Sequence, residues 1–264
     1  MAKRKVILVT AFENGAVTQF IEHFQKLSDP SFEIQAVIQA SAPVLKSKRF
    51  LRQKLKKALK IGVFGVLNGI RMRSWYQLPD TDPIQETCLR YHIPFHGVNL
   101  VNDTSTIELI ASLQSDLGVS MGNSFISSRV FKAFKDGMIN THGEILPDYQ
   151  NAQSVIWQIY NGSRRTGFTI HQINEKIDQG AILHQEYIDI LFSKKLSQTV
   201  QQTNKLITNR SLIALFNVVH DYDACVKRAK PQGVGTHYTT PGIWAFLKMS
   251  RNNAKCYNEN TLRK

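Results

Sequence analysis

The stretch that decides the fold runs from Gly137 to Gly180 and reads GMINTHGEILPDYQNAQSVIWQIYNGSRRTGFTIHQINEKIDQG. Met138-Ile139 is the apolar start of a predicted buried strand, so Asn140 and His142 fall at or just past the end of that strand. An open α/β sheet binds its ligands in the crevice beyond the carboxyl ends of its strands. We therefore predict that the functional site lies at this position.

Four short pieces of this region recur together in one known family. They are Asn140-Thr141-His142, Leu146-Pro147-Asp148-Tyr149, Thr166–Ile170 and Ile177–Leu183. In this order they resemble the formyltransferase family, whose members use 10-formyltetrahydrofolate. The resemblance is firm from about Val119 to Ile190 and looser over Lys5–Gly118. It implies an α/β fold, with a Rossmann-like, mostly parallel sheet, helices on both faces and a C-terminal helical or irregular extension.

The resemblance also implies which residues form the site. The catalytic residues would be Asn140, His142 and Asp178. The residues that bind 10-formyltetrahydrofolate, the co-substrate, would be Gly122, Asn123, Ser124, Phe125, Ile126, Ser127, Glu175 and Ile177. No metal is implied. This chain departs from the family pattern at Gly143-Glu144, where many members have Pro-Ser, and at Gln150-Asn151, where many have Arg-Gly or Gln-Gly; both departures lie on the acceptor side of the motif.

The chemistry of the three catalytic candidates is consistent with formyl transfer. Attack of an amine on a formamide builds negative charge on oxygen, and the carboxamide of Asn140 is a neutral donor of the kind that contributes roughly 3–4 kcal/mol at such a position. His142 can be a second donor and a general acid, and Asp178 can hold the imidazole or relay the amine proton through water. The alternative is structural: a turn cap at Asn140, a core histidine at His142 and an Asp-Gln-Gly turn at Asp178.

Most of the net charge of +13 comes from one segment of the sequence. Residues 46–73 contain ten Lys and Arg and no Asp or Glu, which leaves +3 for the rest of the chain. Leu45–Lys60 is a predicted amphipathic helix. Three interpretations remain open: a solvated face, contact with an anionic membrane surface, or a funnel for an anionic substrate. A nucleic-acid partner is the least favoured because the charge is confined to this segment.

Cysteine usage and hydropathy bear on the compartment. The three cysteines are widely spaced and form no Cys-x-x-Cys pair, which fits a reducing cytoplasm. The N-terminus is interpreted as a first strand, not a signal peptide. The longest apolar run, Ile61–Ile70, is too short to cross a bilayer. We expect a cytoplasmic protein, with peripheral contact at the inner membrane surface as an alternative.

Pro94 between His92 and His96 argues against a helical metal site there.

The remainder of the chain is predicted to support this site. Residues 1–192 would form the catalytic domain, with a basic insert at 45–75, and residues 193–264 a C-terminal helix and tail packed on it. The tail from Pro231 to Lys264 is predicted to be irregular, with Trp244, Phe246 and Leu247 as its apolar anchor. His171 and His184, on a predicted strand pair, are expected to be structural.

The acceptor amine is the open question. In the resembling family, enzymes that act on transfer RNA carry an additional C-terminal barrel, and the tail of this chain is short for such a barrel. Members that act on glycinamide ribonucleotide have a richer glycine turn after the first strand than this chain has. An amino sugar linked to a nucleotide or lipid is therefore the predicted acceptor, and certain sugar formyltransferases also resemble Gly235-Thr236-His237-Tyr238. The alternatives are a glycinamide ribonucleotide acceptor, hydrolysis of formyltetrahydrofolate, and a catalytically silent module that binds folate or a nucleotide.

Overall fold

A computed structural model describes residues 3–27, 31–40, 65, 67–76, 81–123, 125–151 and 153–262. Its strands form one sheet in the order β3-β2-β1-β4-β5-β6-β7. Their bounds are β1 Arg4–Thr10, β2 Phe32–Ala40, β3 Phe95–Val98, β4 Leu117–Met121, β5 Met138–His142, β6 Arg165–Gln172 and β7 Ile182–Asp189. The five neighbouring strands β3, β2, β1, β4 and β5 run parallel, whereas β6 is antiparallel to both of its neighbours, β5 and β7.

Helices cover both faces of this sheet. They are α1 Ala16–Gln25, α2 Ile84–Arg90, α3 Thr104–Leu113, α4 Ser128–Phe131, α5 Ile156–Tyr160, α6 Leu196–His220, α7 Tyr222–Lys227 and α8 Ile243–Thr261. Residues 67–73 are also helical and lead into a 3-10 turn at Ser74–Tyr76. None of the helices in these described ranges is long and apolar enough to cross a membrane.

The alternation of side chains along β1 creates a core on each face of the sheet. Val6 and Leu8 pack in the cluster that contains residues of α1 and α6, whereas Ile7 and Val9 pack in the cluster that contains Ile110 of α3. A strand covered on both faces is a continuous apolar run, as β1 is. The predicted α/β class with a mostly parallel sheet is confirmed.

The register of the central strands determines where the site lies. Ser120 of β4 is opposite Asn140 of β5, and Thr10 of β1 is opposite Met121 of β4. Because these strands are parallel, their carboxyl ends meet at one edge of the sheet. Asn140 and His142 lie in the last three residues of β5, so their backbone is fixed by sheet hydrogen bonds while their side chains reach that edge.

The prediction of an irregular tail was wrong from Ile243 onward. Met249, Asn253 and Cys256 are buried at helical spacing along α8, and Asn252 donates to the carbonyls of Ile159 and Tyr160 at 2.9 and 3.0 Å. The glycines and prolines that suggested irregular structure all precede the helix. Trp244 is 81% exposed and therefore does not anchor the tail.

The predicted helix Leu45–Lys60 lies within residues 41–64, which are outside the described residues. Of the ten basic residues between 46 and 73, the structure describes Arg71 and Arg73, and both are exposed.

Candidate active site

A cavity of about 630 Å³ opens at the carboxyl ends of β4 and β5. Five separate regions of the chain line it: the loop after β4, the end of β5, the pair Asn151 and Gln153, the end of β6 with the loop after it, and residues Thr239-Thr240 before α8. Asn140, His142 and Asp178 all line this one cavity. The structure thus brings together the three residues that the motifs selected as catalytic.

Asn140 is held by a buried histidine on the neighbouring strand. His171 is its cross-strand partner, and the carboxamide nitrogen of Asn140 lies 3.3 Å from Nε2 of His171. Nδ1 of His171 lies 2.8 Å from the carbonyl of Gln172. A carbonyl only accepts, so Nδ1 carries the hydrogen and Nε2 accepts from Asn140. The second N–H of Asn140 is then available to a ligand oxygen.

The environment of His171 keeps its ring neutral. The pKa of His171 is lowered to about 4, mainly by burial and to a smaller extent by His142, against the opposing effects of the Gln172 carbonyl and Asp178. At neutral pH its Nε2 therefore remains an acceptor. His171 was expected to be structural, and the structure gives it a positioning contact with a candidate catalytic residue. The available sequence signal was the strand pairing, which places His171 opposite Asn140.

Asp178 lies between the two imidazoles of the cavity. Its Oδ1 is 3.9 Å from Nδ1 of His142 and 3.9 Å from Nε2 of His171, while its Oδ2 accepts from the backbone N–H of Asn151 at 3.1 Å. Nε2 of His142 is 3.1 Å from the carbonyl of Tyr149. Because that carbonyl is an acceptor, Nε2 donates to it and Nδ1 is left facing the carboxylate.

The loop that carries Asp178 approaches β6 too closely for a side chain at Gly180. A Cβ there would lie 1.7 Å from the carbonyl oxygen of Gln172. Asp178 itself has a φ of 55°, in the left-handed region that Asp tolerates better than most residues. Gly180 is therefore required by the close approach to β6, and Asp178 is compatible with the backbone conformation of the turn.

The predicted donor-binding residues divide into three groups. Gly122, Asn123, Phe125, Ile126 and Ile177 line the cavity. Ser127 and Glu175 are not among the lining residues. The backbone N–H of Ser127, just ahead of α4, donates to the side chain of Asn102, and Glu175 forms an exposed ion pair with Lys132 at 3.2 Å. Ser124 lies outside the described residues. The side chain of Asn123 donates to the carbonyl of Val9 at 2.6 Å, so it joins the ends of β4 and β1.

The first departure from the family pattern introduces a buried acid. The side chain of Glu144 is 1% exposed and accepts from Gln158. Burial raises the pKa of Glu144 well above its usual range, against the smaller lowering effects of hydrogen bonds from Gln158 and Val155. Burial therefore favours the neutral, protonated form of Glu144.

The second departure, Asn151, lies on the cavity wall. Its φ is 51°, a left-handed conformation in which Asn is the most common substitute for glycine. Its side chain donates to the carbonyl of Tyr238 at 3.4 Å. A glycine could adopt the same backbone conformation but could not make this contact.

Residues 235–240, which we call the strap, are a part of the site that the motifs did not include. The backbone of Gln150 pairs with Thr236 and Tyr238 at 2.9 and 3.0 Å, and Trp157 Nε1 donates to the carbonyl of Thr239 at 3.1 Å. The rings of Tyr238 and Tyr149 stack with centroids 5.3 Å apart. The strap thus supports the loop that bonds Asp178 and adds Thr239 and Thr240 to the cavity wall.

Among the residues that the structure describes, no group of three or more His, Cys, Asp or Glu side chains is arranged to hold a metal ion.

The family model described as "Formyl transferase" matches residues 81–214, slightly more than half of the chain. The chain therefore belongs to the formyl transferase family, which confirms the prediction from the four motifs.

Two curated relatives illustrate the range of acceptors in similar sequences. The chain is 30% identical over 114 residues to methionyl-tRNA formyltransferase of Chlorobium chlorochromatii, a match that covers 43% of this chain and 36% of that protein. It is 34% identical over 115 residues to GDP-perosamine N-formyltransferase of Brucella melitensis, covering 40% and 44%. The chain thus matches less than half the length of these relatives.

Solved structures support the same fold. Phosphoribosylglycinamide formyltransferase from Bacillus halodurans superposes with a TM-score of 0.58 at 16% identity, over 83% of this chain and 95% of that one. An N-formyltransferase from Helicobacter canadensis, solved with folinic acid and dTDP-3-aminofucose, superposes with a TM-score of 0.55 at 15% identity, over 96% and 81%. At these identities the likeness concerns the fold alone.

Proposed function

We propose that this protein transfers the formyl group of 10-formyltetrahydrofolate to the primary amine of an amino sugar carried on a nucleotide or lipid. The observation that carries the proposal is the convergence of Asn140, His142 and Asp178 in one cavity. Membership in the formyl transferase family supports the reaction class.

The chemistry assigns a task to each of these residues. The amine nitrogen attacks the formyl carbon, a new C–N bond forms, and the carbonyl oxygen takes up negative charge. The N–H of Asn140 that is not bonded to His171 donates to this oxyanion, an interaction typically worth roughly 3–4 kcal/mol. Because His171 is neutral and accepts from Asn140, the carboxamide is oriented before the substrate arrives.

Collapse of the intermediate breaks the bond between the formyl carbon and the folate nitrogen. The amine must lose a proton, and the leaving nitrogen must gain one. Asp178 accepts the amine proton and passes it to Nδ1 of His142, which lies 3.9 Å from its Oδ1, and the resulting imidazolium returns the proton to the leaving nitrogen. Neither step needs a covalent enzyme intermediate.

The amino sugar is supported by the acceptor side of the cavity. The strap begins with Gly235-Thr236-His237-Tyr238, the segment that certain sugar formyltransferases resemble, and Thr239 and Thr240 line the cavity. A relative acts on GDP-perosamine and a structural neighbour was solved with dTDP-3-aminofucose. Glycinamide ribonucleotide and methionyl-tRNA formyltransferases are equally similar, so both acceptors belong in the assay.

We also propose that residues 1–192 form the catalytic domain, that residues 193–264 complete its acceptor side, and that the protein acts in the cytoplasm. Hydrogen bonds between the strap and Gln150 support the domain assignment. The three free cysteines Cys88, Cys225 and Cys256 fit a reducing compartment.

Release of tetrahydrofolate tests the proposal directly. The protein is incubated with 10-formyltetrahydrofolate and, in parallel, with amino sugars that are free, nucleotide-linked or lipid-linked, with glycinamide ribonucleotide, with methionyl-tRNA, or with no acceptor. We expect release that depends on a linked amino sugar. Release without any acceptor would instead identify a hydrolase, and donor binding without release in any arm would identify a silent binding module.

A further inference from the structure

Two neighbouring helices beside the cavity each expose a pair of large apolar side chains. Trp244 and Leu247, which are 81% and 43% exposed, lie three residues apart at the start of α8. Leu67 and Ile70, which are 56% and 58% exposed, lie three residues apart in the helical segment 67–73. Residues at this spacing share one face of a helix, so each helix presents an apolar pair to solvent.

The two helices are joined next to the cavity. The rings of Trp75 and Phe246 have centroids 6.2 Å apart, and a Cβ at Gly69 would lie 3.3 Å from Cγ2 of Thr240. Thr240 itself lines the cavity. The exposed pairs therefore flank a junction that forms part of the cavity wall.

The charged side chains that accompany these apolar pairs in residues 67–76 and 241–251 are all cationic. Lys248 and Arg251 follow Leu247 on the exposed face of α8, and Arg71 and Arg73 are exposed on the other helix. Residues 67–76 and 241–251 contain no Asp or Glu. In the sequence, the eight Lys and Arg between 46 and 60 come shortly before Leu67. We define the rim patch as Leu67, Ile70, Arg71, Arg73, Trp244, Leu247, Lys248 and Arg251.

We infer that the rim patch docks the protein on an anionic phospholipid bilayer. Trp and aliphatic side chains bordered by Lys and Arg match a membrane interface, where the apolar groups enter the headgroup region and the cations meet anionic lipid. A second copy of the chain would oppose this patch with the same cations, which disfavours self-association through it. Docking here brings the cavity wall at Thr240 to the bilayer surface.

Vesicle co-sedimentation of the full chain tests this inference, and it requires no turnover. Vesicles of phosphatidylcholine are compared with vesicles that also contain phosphatidylglycerol, at low salt and at 1 M salt, where the Debye length falls to about 3 Å. We expect binding to the anionic vesicles that is lost at high salt. Lys248→Gln with Arg251→Gln should weaken it about 25-fold, since each cation contributes about fivefold at such a surface. Trp244→Ser with Leu247→Ser should weaken it at least about tenfold.

The matched control is Leu262→Ser. Leu262 is 87% exposed and follows the far end of α8, about 27 Å along the helix from Trp244 at 1.5 Å per residue. It should bind vesicles like the wild type, and the thermal melts of all variants should match the wild type. Equal binding to neutral and anionic vesicles, unchanged binding by both double variants, or a dimer that Trp244→Ser converts to a monomer would each overturn the inference.

Discussion

Oδ1 of Asp178 lies 3.9 Å from Nδ1 of His142, although 36 positions separate the two residues in the sequence. His142 is fixed by the sheet pairing of β5. Asp178 is fixed by a turn that Gly180 allows to approach β6 and by the N–H of Asn151. Two separate sets of constraints thus hold the pair.

Removing any of the three converging side chains should reduce turnover more than donor binding. We expect Asn140→Ala, His142→Ala and Asp178→Ala each to lower kcat by about 100-fold or more, because general acid–base and oxyanion contributions are of this size. Single-turnover kinetics and titration with folate measure the two effects separately. Asp189→Asn, in an exposed ion pair with Arg165 outside the cavity lining, is the control. Near-normal turnover of all three alanine variants would exclude this site.

The strap can be tested with two glycines that lie two residues apart. A Cβ at Gly235 would lie 2.2 Å from the backbone oxygen of Pro147, whereas a Cβ at Gly233 would meet nothing within 4 Å. Gly235→Ala should displace the strap from Gln150 and lower kcat/KM for the acceptor about tenfold, equivalent to about 1.4 kcal/mol. Gly233→Ala should behave like the wild type. If both variants are equally active, the strap does not shape the acceptor side.

Because the ring of His171 is buried, the free energy of unfolding should depend on pH in the acid range. Its folded-state pKa of about 4 lies below the unfolded value of about 6.5, so on acidification the unfolded state gains a proton first. The free energy of unfolding should therefore have its full value above about pH 6.5 and fall by up to roughly 3 kcal/mol as pH falls to about 4. His171→Gln, which does not titrate, should lose this part of the slope in urea titrations across that range. An unchanged slope would contradict the assignment.

The buried acid Glu144 should have the opposite effect. Burial raises the pKa of Glu144 in the folded protein, so as pH rises above about 4.5 the unfolded state loses the proton while the folded state retains it. The free energy of unfolding then falls by about 1.4 kcal/mol per pH unit until the folded-state pKa is reached. Glu144→Gln should stabilise the protein at pH 7 and change little near pH 4. Urea titrations at both pH values measure this, and a variant less stable at pH 7 would show that the acid is required.

Enzyme kinetics can distinguish the role of the basic segment, residues 46–73, from that of the rim patch. Replacing Lys54, Lys56, Lys57 and Lys60 with Gln should raise the KM of an anionic acceptor if these charges steer it, and high salt should raise the KM of the wild type equally. If the segment contacts membrane, the same variant should instead lose vesicle binding at unchanged KM. No change in either assay would leave only a solvated surface.

The sequence by itself determined the features that depend on nearby residues. The apolar residues of β1, β4 and β5 form contiguous runs, and the apolar residues of α1, α2 and α6 recur at helical spacing within each helix. The motif of Asn140 and His142 immediately follows the apolar start of its strand, so its place at the carboxyl end of β5 was predictable from the same local pattern.

Tertiary structure alone decided which distant residues complete the site. His171 reaches Asn140 through the register of an antiparallel pair, and that register depends on the packing of both strands. The strap reaches Gln150 from beyond α6 and α7, and no local period encodes that contact. The helix α8 was missed because the preceding glycines and prolines dominate the local pattern, whereas Met249, Asn253 and Cys256 become its buried face only against the folded domain. Local sequence sets the conformation of each segment, but contacts between segments form only where the summed packing of the whole chain brings them together.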